Sequence, residues 1–364
     1  MSDSLKSLAG LACPAPLTTH DRVLLGHGSG GKLSAELVRD IFLPAFSNPA
    51  LAQLNDQAVV AVNGSRIAIT TDTFVVNPLF FPGGDIGSLA VHGTINDLAM
   101  GGATPLFLSV AFILEEGLPM EELRRIVESL KRAASDAGVQ VVTGDTKVVE
   151  KGKGDGLFIN TTGIGVVPHG LDLSADRAQA GDKVVLSGSI GDHGIAILMQ
   201  REGLEFESAI ESDSAALHTL TAEMLKIASN FPEGGEEIGH PIRCMRDPTR
   251  GGLSSTLNEI AEQSRVGIEL EEAAILVREE VRGACEMLGL DPLYVANEGK
   301  LVAIVAPEFA DELVEIMRRH PLGKEGRIIG EVTEENRGLV TMRTAFGTTR
   351  IVDMLSGDQL PRIC

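Results

Sequence analysis

Aromatic and basic residues are scarce in this sequence. Its 364 residues include no Trp and one Tyr, so bases or sugars would find few rings to stack on. Lys and Arg number 31 against 51 Asp and Glu, which gives a formal net charge of −20. Because so acidic a protein has few cations to neutralise phosphate, neither nucleic acid nor an anionic membrane is an expected partner.

Cysteines and long apolar stretches are also limited. The four cysteines, Cys13, Cys244, Cys285 and Cys364, form no C-x-x-C pair, and their spacing indicates neither a disulfide framework nor a zinc site. The longest apolar stretch, residues 106–114, is too short to span a bilayer. We therefore expect a cytoplasmic protein with reduced thiols and no membrane segment.

The length of the chain favours two domains, and its 41 glycines, several of them clustered, indicate loops that approach ligands closely. Strand and helix patterns are mixed throughout, such as a helix predicted over 86–100 and a strand over 157–167, so the fold class is α+β or α/β. Pro, Gly and polar residues between 168 and 182 mark the boundary. The predicted parts are an N-terminal extension that we expect to be flexible (1–21), two α/β domains (22–168 and 169–355) and a mobile C-terminal tail (356–364).

The first glycine cluster is predicted to join a short strand over residues 22–25 to a helix that begins near Ser34. Exposed backbone N–H groups at such a junction can hold an anion, and a lysine adds a cation. The loop satisfies the G-x-G-x-x-G pattern of dinucleotide-binding folds. That pattern also needs a strand that ends in an acidic residue about 20 residues later, and the sequence shows no clear strand of this kind. It also satisfies most of the P-loop, except that Leu33 cannot bind magnesium. A flexible turn is the alternative to phosphate binding by another fold. The candidate phosphate-binding residues are Gly28, Ser29, Gly30, Gly31 and Lys32.

Aspartates recur at the ends of predicted elements or in glycine loops. A turn or a helix cap explains any one of them. Their recurrence beside a Gly-Lys loop favours a hard divalent cation that accompanies a nucleoside triphosphate. Glu298 is a further acid ahead of a predicted strand, where an ordinary loop carboxylate is the alternative. The aspartates are Asp56, Asp72, Asp97, Asp145, Asp192 and Asp247.

The sequence ends Leu-Pro-Arg-Ile-Cys, with Cys364 last. This is not a prenylation motif, which needs three residues after the cysteine. A thiol on a mobile terminus could carry a covalently attached group between sites, and a chance exposed thiol is the alternative.

These motifs together resemble the HypE family of hydrogenase maturation proteins, which are carbamoyl dehydratases that make the cyanide ligands of nickel–iron hydrogenases. The resemblance runs from His27 to Cys364. The wider superfamily is that of aminoimidazole ribonucleotide synthetase, with the PurM-like fold. The motifs are His27-Gly-Ser-Gly-Gly31, Pro78-Leu-Phe-Phe-Pro-Gly-Gly-Asp-Ile-Gly87, Val142-Thr-Gly-Asp-Thr-Lys-Val-Val149, Gly191-Asp-His-Gly194, Asn297-Glu-Gly-Lys300 and Pro361-Arg-Ile-Cys364.

The resemblance implies a homodimer whose N-terminal domains join their strands into a barrel-like sheet, with ATP and Mg²⁺ in a cleft near that interface. It implies that the carbamoyltransferase HypF loads Cys364 with a carbamoyl group, which is dehydrated to a thiocyanate. Cyanide then passes to iron on a complex of HypC and HypD.

The resemblance also implies roles for individual residues. Cys364 carries the carbamoyl group, Glu298 is the candidate base, and Asp97 is the second candidate for that role. Magnesium is assigned to Asp56, Asp72, Asp97 and Asp247. The nucleotide is assigned to the loop residues Gly28, Ser29, Gly30, Gly31 and Lys32, and to Asp72, Thr73, Asp145, Thr146 and Lys147.

Two other classes of function stay open. The chain could be another PurM-like ATP-dependent kinase or synthetase that acts on a small molecule, with Cys364 idle. It could also be a nicotinamide-binding oxidoreductase that uses the glycine loop. Loss of the tail would leave turnover intact in the first case, and NAD would protect against heating in the second.

Overall fold

The computed structural model describes residues 20–204, 210–227, 240–357, 360 and 362–364. Most of the predicted N-terminal extension, with Cys13, lies outside the described residues, as does Pro361 in the tail.

Residues 20–57 are helical or irregular, so the strand predicted over residues 22–25 is wrong. Leu25–Gly28 form a 3-10 turn, and α1 (Lys32–Leu37) continues through a π-helical turn into α2 (Leu43–Phe46). The segment runs outside both main sheets, and its apolar residues Val23 and Leu25 are exposed. An apolar run forms a strand only where a neighbouring strand satisfies its backbone, and none pairs with it in the described chain.

The first α/β unit is a five-stranded sheet with two helices on one face. Its elements are β1 (Ala58–Val62), β2 (Ser65–Phe74), the small hairpin β3 (Phe80–Phe81) and β4 (Gly84–Asp85), α3 (Ile86–Met100), β5 (Thr104–Glu115), α4 (Met120–Asp136), β6 (Gln140–Val149) and β7 (Leu157–Val167). The strand order is β1-β2-β7-β5-β6, and β5 and β6 are parallel while the other neighbours are antiparallel.

The other face of this sheet is exposed although it carries apolar side chains. Strand alternation points every second residue away from the two helices. The edge strand β6 is exposed along nearly its whole length. Large apolar side chains on that face include Ile69, Phe107, Ile113, Ile164 and Val166.

The second unit is a seven-stranded sheet between helices. Its elements are β8 (Lys183–Leu186), α5 (Asp192–Glu202), α6 (His218–Leu225), β9 (Ile242–Arg246), α7 (Gly252–Ser264), β10 (Gly267–Glu271), α8 (Glu279–Leu288), β11 (Val302–Val305), α9 (Ala310–Arg319), β12 (Arg327–Thr333), β13 (Val340–Arg343) and β14 (Thr349–Ile351). The strand order is β14-β13-β10-β12-β8-β11-β9. Consecutive residues of β8 and β11 are buried, because helices cover both faces of the sheet there.

The two units share one apolar cluster at the carboxyl end of α3. Leu98 and Met100 of α3 belong to the same buried cluster as Leu220 of α6 and Met245 of β9. The adjoining polar faces of α3, β2 and β9 therefore meet between the units, where a site can draw residues from both.

The described tail residues lie against the body of the protein. Leu360 and Ile363 are buried, Cys364 is half-buried, and the N–H of Val75 donates a hydrogen bond to a main-chain oxygen of Cys364 at 2.9 Å. The expected mobility of the tail stays a prediction. None of the described helices is both long enough and apolar enough to cross a membrane.

Close contact between α3 and α4 depends on a glycine. A Cβ built on Gly87 would lie 2.4 Å from the carbonyl oxygen of Ile126, closer than real side chains approach backbone. We expect Gly87→Ala to destabilise the protein by about 1–3 kcal/mol, the usual cost of overpacking. Urea unfolding followed by circular dichroism measures the effect.

The control is Gly283→Ala in α8, where a Cβ would meet nothing within 4 Å. This change should be neutral or stabilising by up to about 1 kcal/mol, because alanine favours helix. Equal urea midpoints for the two variants would contradict the assigned role of Gly87.

Candidate active site

A polar cavity of about 260 Å³ lies between the two units. It is lined by residues from β2, α3, α7, the loop after β9 and the loop before β11. Its acidic lining residues are Asp56, Asp72, Asp97, Asp247, Glu259 and Glu298, and Gly30, Arg246, Arg250 and Cys364 also line it. The structure therefore brings together the four aspartates assigned to magnesium, the candidate base and the candidate carrier.

Asp56 is tied to the second unit by a buried arginine. Nε of Arg246 lies 2.8 Å from Oδ1 of Asp56, and its Nη2 lies 2.7 Å from Oε2 of Glu259. Burial raises the pKa of Asp56 to about 6, although Arg246 opposes the shift. The second oxygen, Oδ2, has no hydrogen-bond partner within the described structure.

Asp97 is held by Thr70 in an arrangement that indicates a protonated carboxyl. Oγ1 of Thr70 lies 2.7 Å from Oδ2 of Asp97 and 3.0 Å from the carbonyl oxygen of Asp56. Thr70 has one hydroxyl proton, and the carbonyl can only accept, so both contacts are satisfied when Asp97 donates to Thr70. Burial first, and then the nearby Asp247, raises the pKa of Asp97 well above its ordinary value.

Glu298 is fixed through its backbone while its carboxyl faces the cavity. Its N–H donates to Oδ1 of Asp213 at 3.0 Å, and its carbonyl accepts from Nδ2 of Asn96 at 3.2 Å. Lys300 in turn donates to Oδ2 of Asp213 at 3.0 Å. Oε1 of Glu298 is buried and has no hydrogen-bond partner among the described residues. Burial, followed by the charge of Asp247, raises the pKa of Glu298 well above its usual range.

Cys364 lines the same cavity. Burial raises the pKa of its thiol to about 12, although Arg250 opposes the shift. The docked thiol is therefore protonated at neutral pH, and a protonated thiol is a poor nucleophile. Cys244 and Cys285 are buried in apolar clusters and do not line the cavity.

The first glycine loop meets this cavity mainly through Gly30. The N–H of Gly30 donates to Oγ of Ser34 at 3.0 Å, and the N–H of Lys32 donates to the carbonyl of Leu355 at 2.8 Å. The ammonium of Lys32 lies 2.5 Å from Asp353 and does not line the cavity. The assignment of Gly28, Ser29, Gly31 and Lys32 to phosphate binding thus stays a prediction.

Four further predicted nucleotide residues lie on strands of the first sheet, outside the cavity. Asp145, Thr146 and Lys147 are exposed on β6, where Nζ of Lys147 lies 2.8 Å from Oδ2 of Asp145. Thr73 is exposed on β2 and its hydroxyl accepts from Asn160 at 3.0 Å. Within one chain, none of the four lines the cavity.

The cavity offers ligands for a cation without a preformed site. Buried oxygens of Asp56, Asp247 and Glu298 have no hydrogen-bond partner in the described chain, and carboxylate oxygens are what Mg²⁺ binds. In the part of the chain that the structure describes, no three acidic, histidine or cysteine side chains are already close enough to hold a metal ion. The residues present therefore fit a hard cation only if the carboxyl groups lose protons and move toward it.

Sequence reasoning missed several residues that build the site. Arg246 and Arg250 flank Asp247 in the motif Arg246-Asp-Pro-Thr-Arg250, in which the sequence predicts a role for the aspartate alone. Asp213 carries no motif signal, because its partner Lys300 is far away in the sequence. His193 belongs to one of the motifs that carry the family resemblance, yet that motif predicts no role for it.

The raised pKa of Asp97 makes a prediction about stability. The pKa of Asp97 is higher in the folded state than in the unfolded state. Above about pH 4 the folded state therefore binds more protons than the unfolded state, and the free energy of unfolding falls as the pH rises. Asp97→Asn keeps the shape, and its amide can donate to Thr70. Without nucleotide or magnesium, the Asn variant should therefore unfold at a higher temperature than the parent.

Thermal unfolding measured from pH 4.5 to pH 8 tests this expectation. The advantage of the Asn variant should be smallest at the acid end and should grow with pH. A variant that is less stable than the parent at pH 8 would contradict a protonated Asp97.

Comparison with known proteins accounts for both units of the fold. The model of the AIR synthase related protein N-terminal domain matches residues 54–167, and that of the C-terminal domain matches residues 179–343. The carbamoyl dehydratase HypE of Cupriavidus necator is 59% identical over 344 residues, which cover 94% of this chain and 95% of that protein.

Solved structures agree with this relationship. HypE in complex with ATP is similar with a TM-score of 0.77 and 48% identity, covering 94% of this chain and 100% of that one. HypE in a HypE–HypF complex is similar with a TM-score of 0.81 and 48% identity, covering 88% of this chain and 99% of that one. The chain belongs to the HypE family of carbamoyl dehydratases, within the AIR synthase related proteins.

Proposed function

We propose that this chain catalyses the ATP-dependent dehydration of a carbamoyl group carried on Cys364, which yields a thiocyanate for the iron centre of nickel–iron hydrogenase. The observation that carries the proposal is the position of Cys364 in the same polar cavity as Glu298 and the four aspartates. The family relationship and the ATP complex of a HypE relative support it.

Charge supports the entry of ATP together with Mg²⁺. Six carboxyl groups and two guanidinium groups line the cavity. A triphosphate alone would be repelled there, whereas divalent cations between phosphate and carboxylate reduce the repulsion. Asp56, Asp72, Asp97 and Asp247 would hold the cations, and Arg250 would face the phosphates.

The reaction needs a base that removes protons from the carbamoyl nitrogen. The carbamoyl oxygen attacks the γ-phosphate and ADP leaves; loss of the two nitrogen protons and expulsion of phosphate then leave a C≡N group on sulfur. Glu298 fits the role of base because Oε1 is buried without a partner among the described residues and because its raised pKa makes it a stronger base. Asp97 fits less well, since Thr70 already occupies its Oδ2.

The proposed partners are those that load Cys364 with a carbamoyl group and accept the cyanide from it. Cys364 is half-buried in the cavity between the two units, so we expect a loading enzyme to reach it when the tail has left. HypF is proposed as the carbamoyl donor, in line with the HypE–HypF complex of relatives, and a HypC–HypD complex as the acceptor of cyanide.

A homodimer is proposed through the exposed face and edge of the first sheet. Apolar residues such as Phe107 and Ile164 are exposed there, and pairing with a second copy would bury them. The joined strands would form the barrel-like sheet. Because Asp145 and Lys147 lie on the edge strand β6, a second copy is also the arrangement that could bring them to a nucleotide.

We expect Glu298→Gln to bind ATP normally but to slow dehydration by roughly 10²–10⁴-fold, the usual contribution of a positioned base. ATP binding is measured by calorimetry, and the rate is followed as cyanide release from the carbamoylated protein. Glu128→Gln on the exposed face of α4 is the control and should react at the parental rate. A parental rate for the Glu298→Gln variant at saturating ATP would show that another group accepts the protons.

We expect Cys364→Ala to accept no carbamoyl group while its fold and ATP binding are retained. Intact-mass spectrometry after incubation with carbamoyl-loaded HypF should show one carbamoyl unit on the parent protein. Adding ATP should then remove one water from the modified C-terminal peptide.

Cys285→Ala is the matched control and should be modified like the parent, since Cys285 is a buried core thiol. Label on the Cys364→Ala variant would refute the carrier role. Unchanged ATP turnover in that variant would instead favour a kinase or synthetase that acts on a small molecule.

A further inference from the structure

The tail is bound through its backbone as well as through its side chains. Three successive main-chain oxygens, those of Arg362, Ile363 and Cys364, each accept a hydrogen bond from the body of the protein. The N–H groups of Asn77 and Val75 donate to Arg362 and Cys364 at 3.2 and 2.9 Å. The tail therefore adds a short strand-like segment beside the chain that leaves β2.

Two side chains of α5 complete this binding. Nη2 of Arg201 donates to the carbonyl of Arg362 at 2.8 Å, while its Nε donates to the carbonyl of Asn77 at 2.8 Å. One guanidinium thus bridges the tail and the segment beside it. Nε2 of His193 donates to the carbonyl of Ile363 at 2.6 Å.

The hydrogen-bond network fixes the tautomer of His193. The Ile363 carbonyl can only accept, so Nε2 carries the proton. Nδ1 of His193 lies 2.8 Å from Oγ of Ser212, and that oxygen accepts from the N–H of Ser214 at 3.1 Å. The Ser212 hydroxyl therefore donates to Nδ1, and the neutral imidazole is oriented toward the tail. The charged group nearby is Asp213, and the ring edge of Phe81 packs on the imidazole.

The backbone conformation of Arg362 is independent evidence that contacts hold the tail in place. Its φ angle is +60°, a left-handed conformation that costs a side-chain-bearing residue about 1 kcal/mol or more. Such a conformation persists only where surrounding contacts determine it. Arg362 also pairs with Asp155, which accepts from the amide of Asn77 at 3.2 Å.

We infer that Arg201 and His193 are positioning residues that hold the tail in the cavity and so set how often Cys364 is available to a loading partner. The role of tail docking in catalysis rests on the proposed function, whereas the docking contacts of Arg201 and His193 do not depend on it. Because a guanidinium can serve two carbonyls at once and an ammonium cannot match that geometry, lysine should replace Arg201 only in part.

The test is the rate at which iodoacetamide alkylates each cysteine, resolved by peptide mass spectrometry. Docked Cys364 is half-buried and burial raises the pKa of its thiol, so it should be alkylated more slowly when docked, and the rate should rise with the undocked fraction. Loss of a charge-assisted hydrogen bond should raise that rate by about 10- to 100-fold in Arg201→Gln. Arg201→Lys should give an intermediate rate, and His193→Gln should raise it.

The chain supplies its own controls. Cys244 is buried in an apolar cluster that contains no residue of the tail, so a variant that is merely destabilised would alkylate it faster as well. Arg318→Gln removes an equivalent contact, from Nε to the carbonyl of Gly326 at 2.8 Å, away from the tail. That variant should alkylate Cys364 at the parental rate.

Hydrogen exchange gives a second measurement that needs no thiol chemistry. The amides of Val75 and Asn77 donate to the tail, so their exchange should speed up in Arg201→Gln. Parental rates of alkylation and exchange in Arg201→Gln would overturn the inference, because the buried side chains of Leu360 and Ile363 would then hold the tail alone. Neither measurement involves carbamoyl chemistry, so failure of the carrier role in the mass experiment would leave this result standing.

Discussion

The contacts of the buried Arg246 guanidinium tie the two units of the fold together. Its guanidinium reaches Asp56 at the entrance to the first sheet and Glu259 on α7, and its Nη1 donates to the carbonyl of Leu54 at 3.2 Å. A buried charge needs partners, and here the partners come from both units. The same contacts place Asp247, the next residue along the chain, against the polar ends of β2 and α3.

The acid-rich cavity that results is costly for the free protein. Burial and mutual repulsion raise the pKa values of Asp56, Asp97, Asp247 and Glu298 together. A cation that bound these carboxyl groups would favour their ionised forms, so the proposed cation binding would be coupled to proton release. If the proposed cation site forms, the stability lost in the free protein would be offset by affinity for the cation, as is common where polar groups are collected for function.

Elements with a strong local pattern could be predicted from the sequence, and those that depend on distant partners could not. The helix over 86–100 and the strand over 157–167 have the predicted bounds, because continuous apolar character and period-two alternation specify them locally. The segment 22–25 has strand-like residues but no neighbouring strand in the described chain. Likewise, four predicted aspartates share the cavity, whereas Asp145 lies on the exposed edge strand and does not line it.

Main-chain recognition of the tail has a consequence for the direction of the reaction cycle. Arg201, His193 and the amides beside β2 contact carbonyl oxygens, and none of these hydrogen bonds involves the sulfur of Cys364. These main-chain hydrogen bonds do not by themselves distinguish a bare thiol from one that bears substrate or product. In the proposed cycle, docking and release through these hydrogen bonds would be reversible at every stage, so the irreversibility of the cycle would have to come from the phosphate bond broken in the cavity.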